Sequence, residues 1–364
     1  MYKVVLRADA SLEMGTGHVM RCLTLADALR FKGAECLFIC RVHAGNLNEL
    51  IKSRGHSVYV LPLGTREPAE AGDLAHSVWL GATQQEDIQA CRAVIESFQP
   101  DLLVVDHYAL DSRWEHEFRK SSQKILVIDD LADRPHECDV LLDQTLGRAA
   151  EEYHPWTSSD CLLMCGSQYA LLRPEFSELR SVSLARRDKP QLRHVLITMG
   201  GVDKDNATEQ VLKALQVSDL PDDCMITVVM GSTAPWLASV RHQAKRMTWN
   251  TRVLVDVGDM AQLMVGSDLA IGAAGATSWE RCCLGLPTIM MVLADNQRSI
   301  AHALEGAGAA WVVEVDTDVA SLLPKYIKAL TEHPDILAEM SLAAAGVSEG
   351  RGVKIVTQML ESSK

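Results

Sequence analysis

Short apolar runs alternate with amphipathic segments along most of the chain. Residues 2–6 have the length and composition of a strand. Residues 19–30 then place Val19, Leu23, Ala26 and Leu29 on one helical face, with Gly33 as a stop. Further strands are predicted over 37–40, 58–61, 102–106 and 125–129. The last two are rich in β-branched residues and end in acidic ones. Such runs suit buried parallel strands, whose carboxyl ends carry ligand sites. Residues 181–193 are charged, contain Pro190 and lack an apolar period, so they read as a linker. A second alternation follows, with strands at 194–199, 224–230, 252–257, 269–272, 288–292 and 311–315 and a helix over 206–215. Residues 335–363 read as helical with a glycine-containing break at 346–352. Two α/β halves joined by a linker imply a cleft, a favoured place for ligands.

Composition narrows the class. The chain has 364 residues, enough for two domains, and 48% of them are hydrophobic. A net charge of −13 leaves no overall basic footprint for nucleic acid or an anionic membrane. No apolar stretch is long enough to span a bilayer, and neither a transmembrane helix nor a secretory signal is expected. The ten cysteines are scattered without a C-x-x-C pair, as in reduced thiols of a cytoplasmic protein.

Four segments carry candidate chemistry. Arg7, Asp9 and then Gly15-Thr16-Gly17-His18 lie between the first strand and the first helix. The glycines allow a tight turn and close backbone approach, and the helix start offers free N–H groups. His18 falls in the first turn, facing the cleft, where an imidazole can take a proton from water near neutral pH. The spacing fits neither a dinucleotide fingerprint, which fails at Met20, nor a Walker loop. Gly200 and Gly201 precede a helix with Asn206 and Glu209 at capping spacing, so their backbone could reach a phosphate. Gly275-Ala276-Thr277-Ser278 ends a strand and opens a helix, a suitable seat for a diphosphate, with Thr277 and Glu280 at the spacing of a capping box. Glu280 either caps its own helix or holds ribose hydroxyls. Asn296 and Gln297, just past another strand, can donate and accept, as sugar hydroxyls or acetamides require. Tyr108 in Asp106-His107-Tyr108 and Arg173 in 166–174 are further candidate contacts.

Taken together and in order, these motifs resemble the family of UDP-2,4-diacetamido-2,4,6-trideoxy-β-L-altropyranose hydrolases of pseudaminic acid biosynthesis, over roughly residues 1–315. The resemblance implies a GT-B fold: two Rossmann-like domains facing a cleft, here 1–185 and 190–345, with 346–364 as a helical tail. It implies release of UDP and the free diacetamido sugar, without a metal or other cofactor. His18 falls on the family's catalytic base, Tyr108 on its cleft tyrosine, Asn296 on its asparagine and Glu280 on the glutamate of the nucleotide-binding helix. Gly275 to Ser278 would hold the diphosphate. The UDP-sugar is the expected partner of a monomeric, cytoplasmic protein without nucleic acid or stable membrane association. Two alternatives share the donor motifs: a glycosyltransferase using an acceptor alcohol in surface-polysaccharide assembly, and a non-catalytic nucleotide-sugar-binding protein.

Overall fold

The computed structural model describes residues 1–64, 74–314 and 319–362. The chain divides into two compact units, 1–171 with 352–364, and 172–351. The first unit is built on a seven-stranded parallel sheet of β1 (Lys3–Ala8), β2 (Glu35–Arg41), β3 (Ser57–Leu61), β4 (Leu102–Asp106), β5 (Lys124–Ile128), β6 (Val140–Asp143) and β7 (Leu162–Cys165). Their order is β3-β2-β1-β4-β5-β6-β7. The second unit holds a six-stranded parallel sheet of β8 (His194–Thr198), β9 (Met225–Met230), β10 (Asn250–Val255), β11 (Leu269–Ala273), β12 (Thr288–Val292) and β13 (Ala310–Glu314). Its order is β10-β9-β8-β11-β12-β13. In each sheet the order reverses once, between β1 and β4 and between β8 and β11. A crevice opens at the carboxyl ends of the strands at such a point.

Alternation along β1 explains the two faces of the first sheet. Val4, Leu6 and Ala8 pack into a core with Val19, Leu23 and Ala26 of the Gly17–Phe31 helix and with Val356 and Leu360 of the Gly352–Ser362 helix. Val5 faces the opposite core, with Ile88, Cys91 and Ile95 of the Gln84–Phe98 helix and Trp114. Arg7 shares the face of Val5, and so points a guanidinium into an apolar layer. Asp87 compensates it. Its carboxylate accepts from Arg7 Nε and Nη2 at 3.2 and 2.8 Å, from Arg41 Nη2 at 2.5 Å and from Trp114 Nε1 at 3.0 Å. Asp9 adds an ion pair to Arg7 at 2.7 Å and accepts from the Arg41 amide at 2.6 Å. Burial raises the Asp9 carboxyl, but Arg7, His107 and His43 outweigh it and hold it well below the usual range.

Several boundaries differ from the sequence reading. The division falls at Leu172, not near 185–190, because 181–187 belong to the Pro174–Arg187 helix rather than to a linker. That helix is fastened to the second unit. Arg180 donates to the carbonyls of Cys283, Ala345 and Ser348, and Arg187 to those of Met264, Ser267 and Leu284. The tail is not a single segment beyond residue 345. Asp335–Val347 stays with the second unit, whereas Gly352–Ser362 packs on the Gly17–Phe31 helix of the first. Strands β6 and β7 extend a sheet that the apolar pattern followed only as far as β5. Val315 and Ser363, ends of two expected elements, lie outside the described residues. Among those described, no helix is long and apolar enough to cross a membrane.

Removing one partner of a buried ion pair leaves an uncompensated charge, at a cost of roughly 3–5 kcal/mol. Asp87→Ala should therefore lower the stability of the first unit by about that amount in urea unfolding. A loss below about 1 kcal/mol would place the network among ion pairs of surface strength.

Candidate functional site

The carboxyl ends of β1 and β4 bring His18 and Asp106 together. Ser11 and Gly15 close a short loop after β1 through amide–carbonyl bonds of 3.2 and 2.9 Å, with Gly15 at φ +78°. The helix then starts at Gly17. This places His18 in the first turn, as expected, and sets its ring over the end of β4. His18 Nδ1 lies 2.6 Å from Asp106 Oδ1. An ionised carboxylate only accepts, so Nδ1 carries the proton and the lone pair of the neutral ring sits on Nε2. Arg21, one turn further along the helix, donates from Nε to Asp106 Oδ2 and from Nη2 to Oδ1, each at 2.7 Å. Burial alone would raise the Asp106 carboxyl, but Arg21 and His18 hold it far below the usual carboxylate range. Asp106 therefore stays ionised as an orienting acceptor.

The group continues beyond the dyad. Arg21 Nη1 donates to Asp130 Oδ2 at 2.5 Å, and the Tyr108 hydroxyl donates to the same oxygen at 2.8 Å. The Tyr108 ring stands edge-on to His18, with centroids 4.6 Å apart and planes at 85°. One carboxylate thus fixes both the arginine behind His18 and the tyrosine beside it.

The expected contacts of the first unit divide. His18 and Tyr108 come together, with Gly15 and Gly17 shaping the turn that delivers the histidine. Arg7 and Asp9, expected as substrate contacts, are 0% exposed and bonded to Asp87, Arg41 and each other, so they present no surface to a ligand. Their chemistry is spent on holding the carboxyl end of β1. Sequence reasoning did not give Asp106, Arg21 or Asp130 a role. Arg21 was legible in principle, three residues after His18 and so on the same helical face. Asp130 was not, since its pairing depends on β5 lying beside β4.

In the second unit Gly200 and Gly201, Gly275 to Ser278, and Asn296 and Gln297 follow the carboxyl ends of β8, β11 and β12 in turn. Gly275, at φ +156° and ψ −160°, opens the Ala276–Cys283 helix in a conformation that essentially only glycine adopts. The cap differs from the expected Thr277–Glu280 box: the Gly275 amide donates to Ser278 Oγ at 3.1 Å. Beneath this turn lies Arg281, fully buried. It donates to the Ala273 carbonyl at 2.9 Å, to Ser278 Oγ at 3.1 Å and to Thr277 Oγ1 at 3.3 Å. None of these partners is charged, and burial lowers the guanidinium pKa to about 10. Among the described residues, then, no carboxylate is hydrogen-bonded to this cation under the helix start.

Glu280 points elsewhere. Its side chain is 17% exposed and lies 3.9 Å from Arg173, which also meets Glu175 at 3.0 Å. Burial raises the Glu280 carboxyl to about 7, against the pull of Arg173 and Arg281. Gly200 and Gly201 follow β8 at a turn, with Gly200 at φ +85°. The next helix is capped by Asp203, which accepts from the amides of Ala207 and Thr208 at 2.9 and 3.0 Å, while Asn206 donates to the Glu209 carboxylate instead. Asn296 is exposed in the turn after β12. The Gln297 side-chain oxygen accepts from the Leu293 amide at 2.9 Å, so that half of its amide holds the turn.

Residues 194–355 match the glycosyltransferase family 28 C-terminal domain. A crystal structure of MurG from Acinetobacter baumannii superposes with a TM-score of 0.71 at 18% identity, covering 100% of both chains. The chain has the GT-B fold. It is 28% identical over 307 residues to the UDP-2,4-diacetamido-2,4,6-trideoxy-β-L-altropyranose hydrolase of Campylobacter jejuni, covering 84% of this chain and 97% of that protein. It also matches an uncharacterized protein of Methanocaldococcus jannaschii at 25% identity over 81% of this chain, and spans 57% of that protein's length.

Glu280 should titrate near neutrality. Carbon-13 NMR of labelled glutamate is expected to show one carboxyl with a midpoint near 7, absent in Glu280→Gln. Because Arg173 stabilises the ionised form, Arg173→Met should move that midpoint upward. A Glu280 carboxyl titrating in the ordinary range would contradict the buried site.

Proposed function

We propose that the protein hydrolyses a UDP-activated 2,4-diacetamido-2,4,6-trideoxy-altropyranose at its anomeric carbon, with inversion and without a metal. The observation that carries this reading is the His18–Asp106 contact of 2.6 Å at the reversal point of the first sheet, which leaves Nε2 as a base. The likeness to the Campylobacter jejuni hydrolase supports the choice of substrate.

Water forms the new bond to the anomeric carbon as the bond to the UDP oxygen breaks. His18 Nε2 takes the proton, and Asp106 steadies the imidazolium that results. UDP leaves with the electron pair of the broken bond. Its growing negative charge is met by the amides opening the Ala276–Cys283 helix, with the Arg281 cation behind them. Such donors act most strongly where charge develops in the transition state. A nucleoside diphosphate is a good leaving group and needs no strong general acid. Gly200 and Gly201 add backbone donors, Glu280 accepts from ribose hydroxyls, and Tyr108, Arg173, Asn296 and Gln297 contact the substrate. A single displacement on one face inverts the configuration.

A second reading is a glycosyltransferase that activates an acceptor alcohol with the same base. The likeness of residues 194–355 to the glycosyltransferase family 28 C-terminal domain favours it, because a transferase would share the donor seat. An acceptor-free assay separates the two.

Across a panel of UDP-sugars without acceptor, UDP release is expected from the diacetamido-trideoxy donor, giving the inverted sugar as first product by NMR. Release only after an alcohol is added would favour the transferase. A general base contributes about 10²–10⁴-fold in rate. His18→Ala should lower kcat by that factor while UDP affinity measured by calorimetry stays unchanged. Near-full turnover would remove His18 from the reaction.

A further inference from the structure

The first unit contains a cavity that none of the roles above uses. It measures about 320 Å³, within the range of small-molecule sites. It lies at the carboxyl ends of β1, β2 and β3, on the same edge of the sheet as His18. Ser11 and Glu13 reach it from the loop after β1, His43 from the end of β2, Leu63 from the end of β3, and Val78 and Trp79 from the short turn Ser77–Leu80. Trp79 connects it to the reaction centre. Its ring stacks on Tyr108 with centroids 6.0 Å apart and planes at 28°, and Tyr108 stands edge-on to His18. His76 braces the pair, 4.4 Å from Trp79 and 5.5 Å from Tyr108.

The lining selects among ligand chemistries. Among the described lining residues there is no Lys or Arg, and one is the carboxylate Glu13. Trp79, Val78 and Leu63 offer apolar surface, which matches the C–H face of a pyranose, a C6 methyl and the methyls of acyl groups. Ser11 supplies a directed polar group. It is 7% exposed, and its Oγ accepts from the amides of Glu13 and Met14 at 3.1 and 3.0 Å. Both lone pairs are thus used, and among the described residues no protein acceptor takes the hydroxyl proton. That proton can be donated to an acyl carbonyl. His43 is fixed as a wall, its Nε2 held 3.6 Å from Asp9 and its ring against Gly81, where a Cβ would meet His43 Cε1 at 2.6 Å.

We infer that this cavity is the subsite for the sugar of the donor, with Trp79 as its platform and Ser11 as donor to an N-acyl carbonyl. It favours a deoxygenated, N-acylated hexose over a fully hydroxylated one. The inference rests on the hydrolase reading, which supplies the sugar, and adds the residues that select it.

The test compares wild type with Trp79→Ala, Trp79→Phe and Leu63→Gln. Leu63 is 56% exposed, so an amide there alters the lining without emptying the core. Turnover of UDP-2,4-diacetamido-2,4,6-trideoxy-altropyranose and of UDP-N-acetylglucosamine is followed by UDP release, with UDP affinity by calorimetry as control. Trp79→Ala should raise KM for the diacetamido donor at least tenfold and leave UDP affinity within twofold. Trp79→Phe should recover most of the loss, and Leu63→Gln should narrow the preference between the donors. If both Trp79→Ala and Leu63→Gln keep KM and the preference within twofold, the cavity is not the sugar subsite, whatever becomes of the hydrolase reading. A second arm needs no turnover: saturation-transfer NMR of free 2,4-diacetamido-2,4,6-trideoxy-altrose on the full chain. Binding lost in Trp79→Ala upholds the subsite even if no UDP is released. In that case only the hydrolase reading fails. Absence of binding to wild type, together with absence of UDP release, overturns both.

Discussion

Asp106 is the carboxylate on which the candidate site depends. It is fully buried at the end of β4, and it accepts from His18 on one oxygen and from the Arg21 guanidinium on both. Those contacts do three things at once. They fix which ring nitrogen of His18 carries a proton, they hold the ring still, and they neutralise a charge that could not otherwise be buried. The remaining members follow from Arg21, which reaches on to Asp130, and from Asp130, which takes the Tyr108 hydroxyl. An imidazole presented by a flexible loop would lose this precision. Here it sits in the first turn of a helix packed between the sheet and the Gly352–Ser362 helix.

The sheet imposes the positions. Because strand order reverses between β1 and β4, the loops after those strands diverge and leave their side chains free to meet across the gap. The buried Arg7–Asp87–Arg41 network stabilises the same edge from below. The second unit repeats the arrangement with other chemistry. Its reversal point lies between β8 and β11, and there the residues are glycines, a small hydroxyl pair and a buried arginine. One architecture therefore carries the buried His18–Asp106 pair in one unit and a glycine-opened helix start over Arg281 in the other.

Much of this was legible along the chain because parallel strands buried on both faces are continuous apolar runs. The strands from β1 to β5 and from β8 to β13 lie within a residue or two of the apolar pattern. Strands β6 and β7 are four residues each, too short to stand out against their flanks. The supposed linker failed for a different reason. The arginines of Pro174–Arg187 look solvated, yet they bond backbone carbonyls of the second unit, a use of charge that no periodicity reveals. The same blindness misplaced Arg7 and Asp9. Polar residues beside a glycine-rich turn resemble ligand contacts until Asp87, 80 residues away, is seen to hold Arg7. His18 was readable as a candidate base from its place at a helix start. Its partner Asp106 required knowing that β4 lies next to β1.

The central claim is that water activated by His18 attacks carbon rather than phosphorus. Turnover in ¹⁸O-enriched water tests this directly, since the two routes deposit the label in different products. Attack at the anomeric carbon predicts one ¹⁸O at C1 of the first-formed sugar, before the anomers exchange, and none in UDP. Label in the β-phosphate of UDP would mean cleavage of the phosphorus–oxygen bond, and would contradict the account of the site given by the His18–Asp106 geometry.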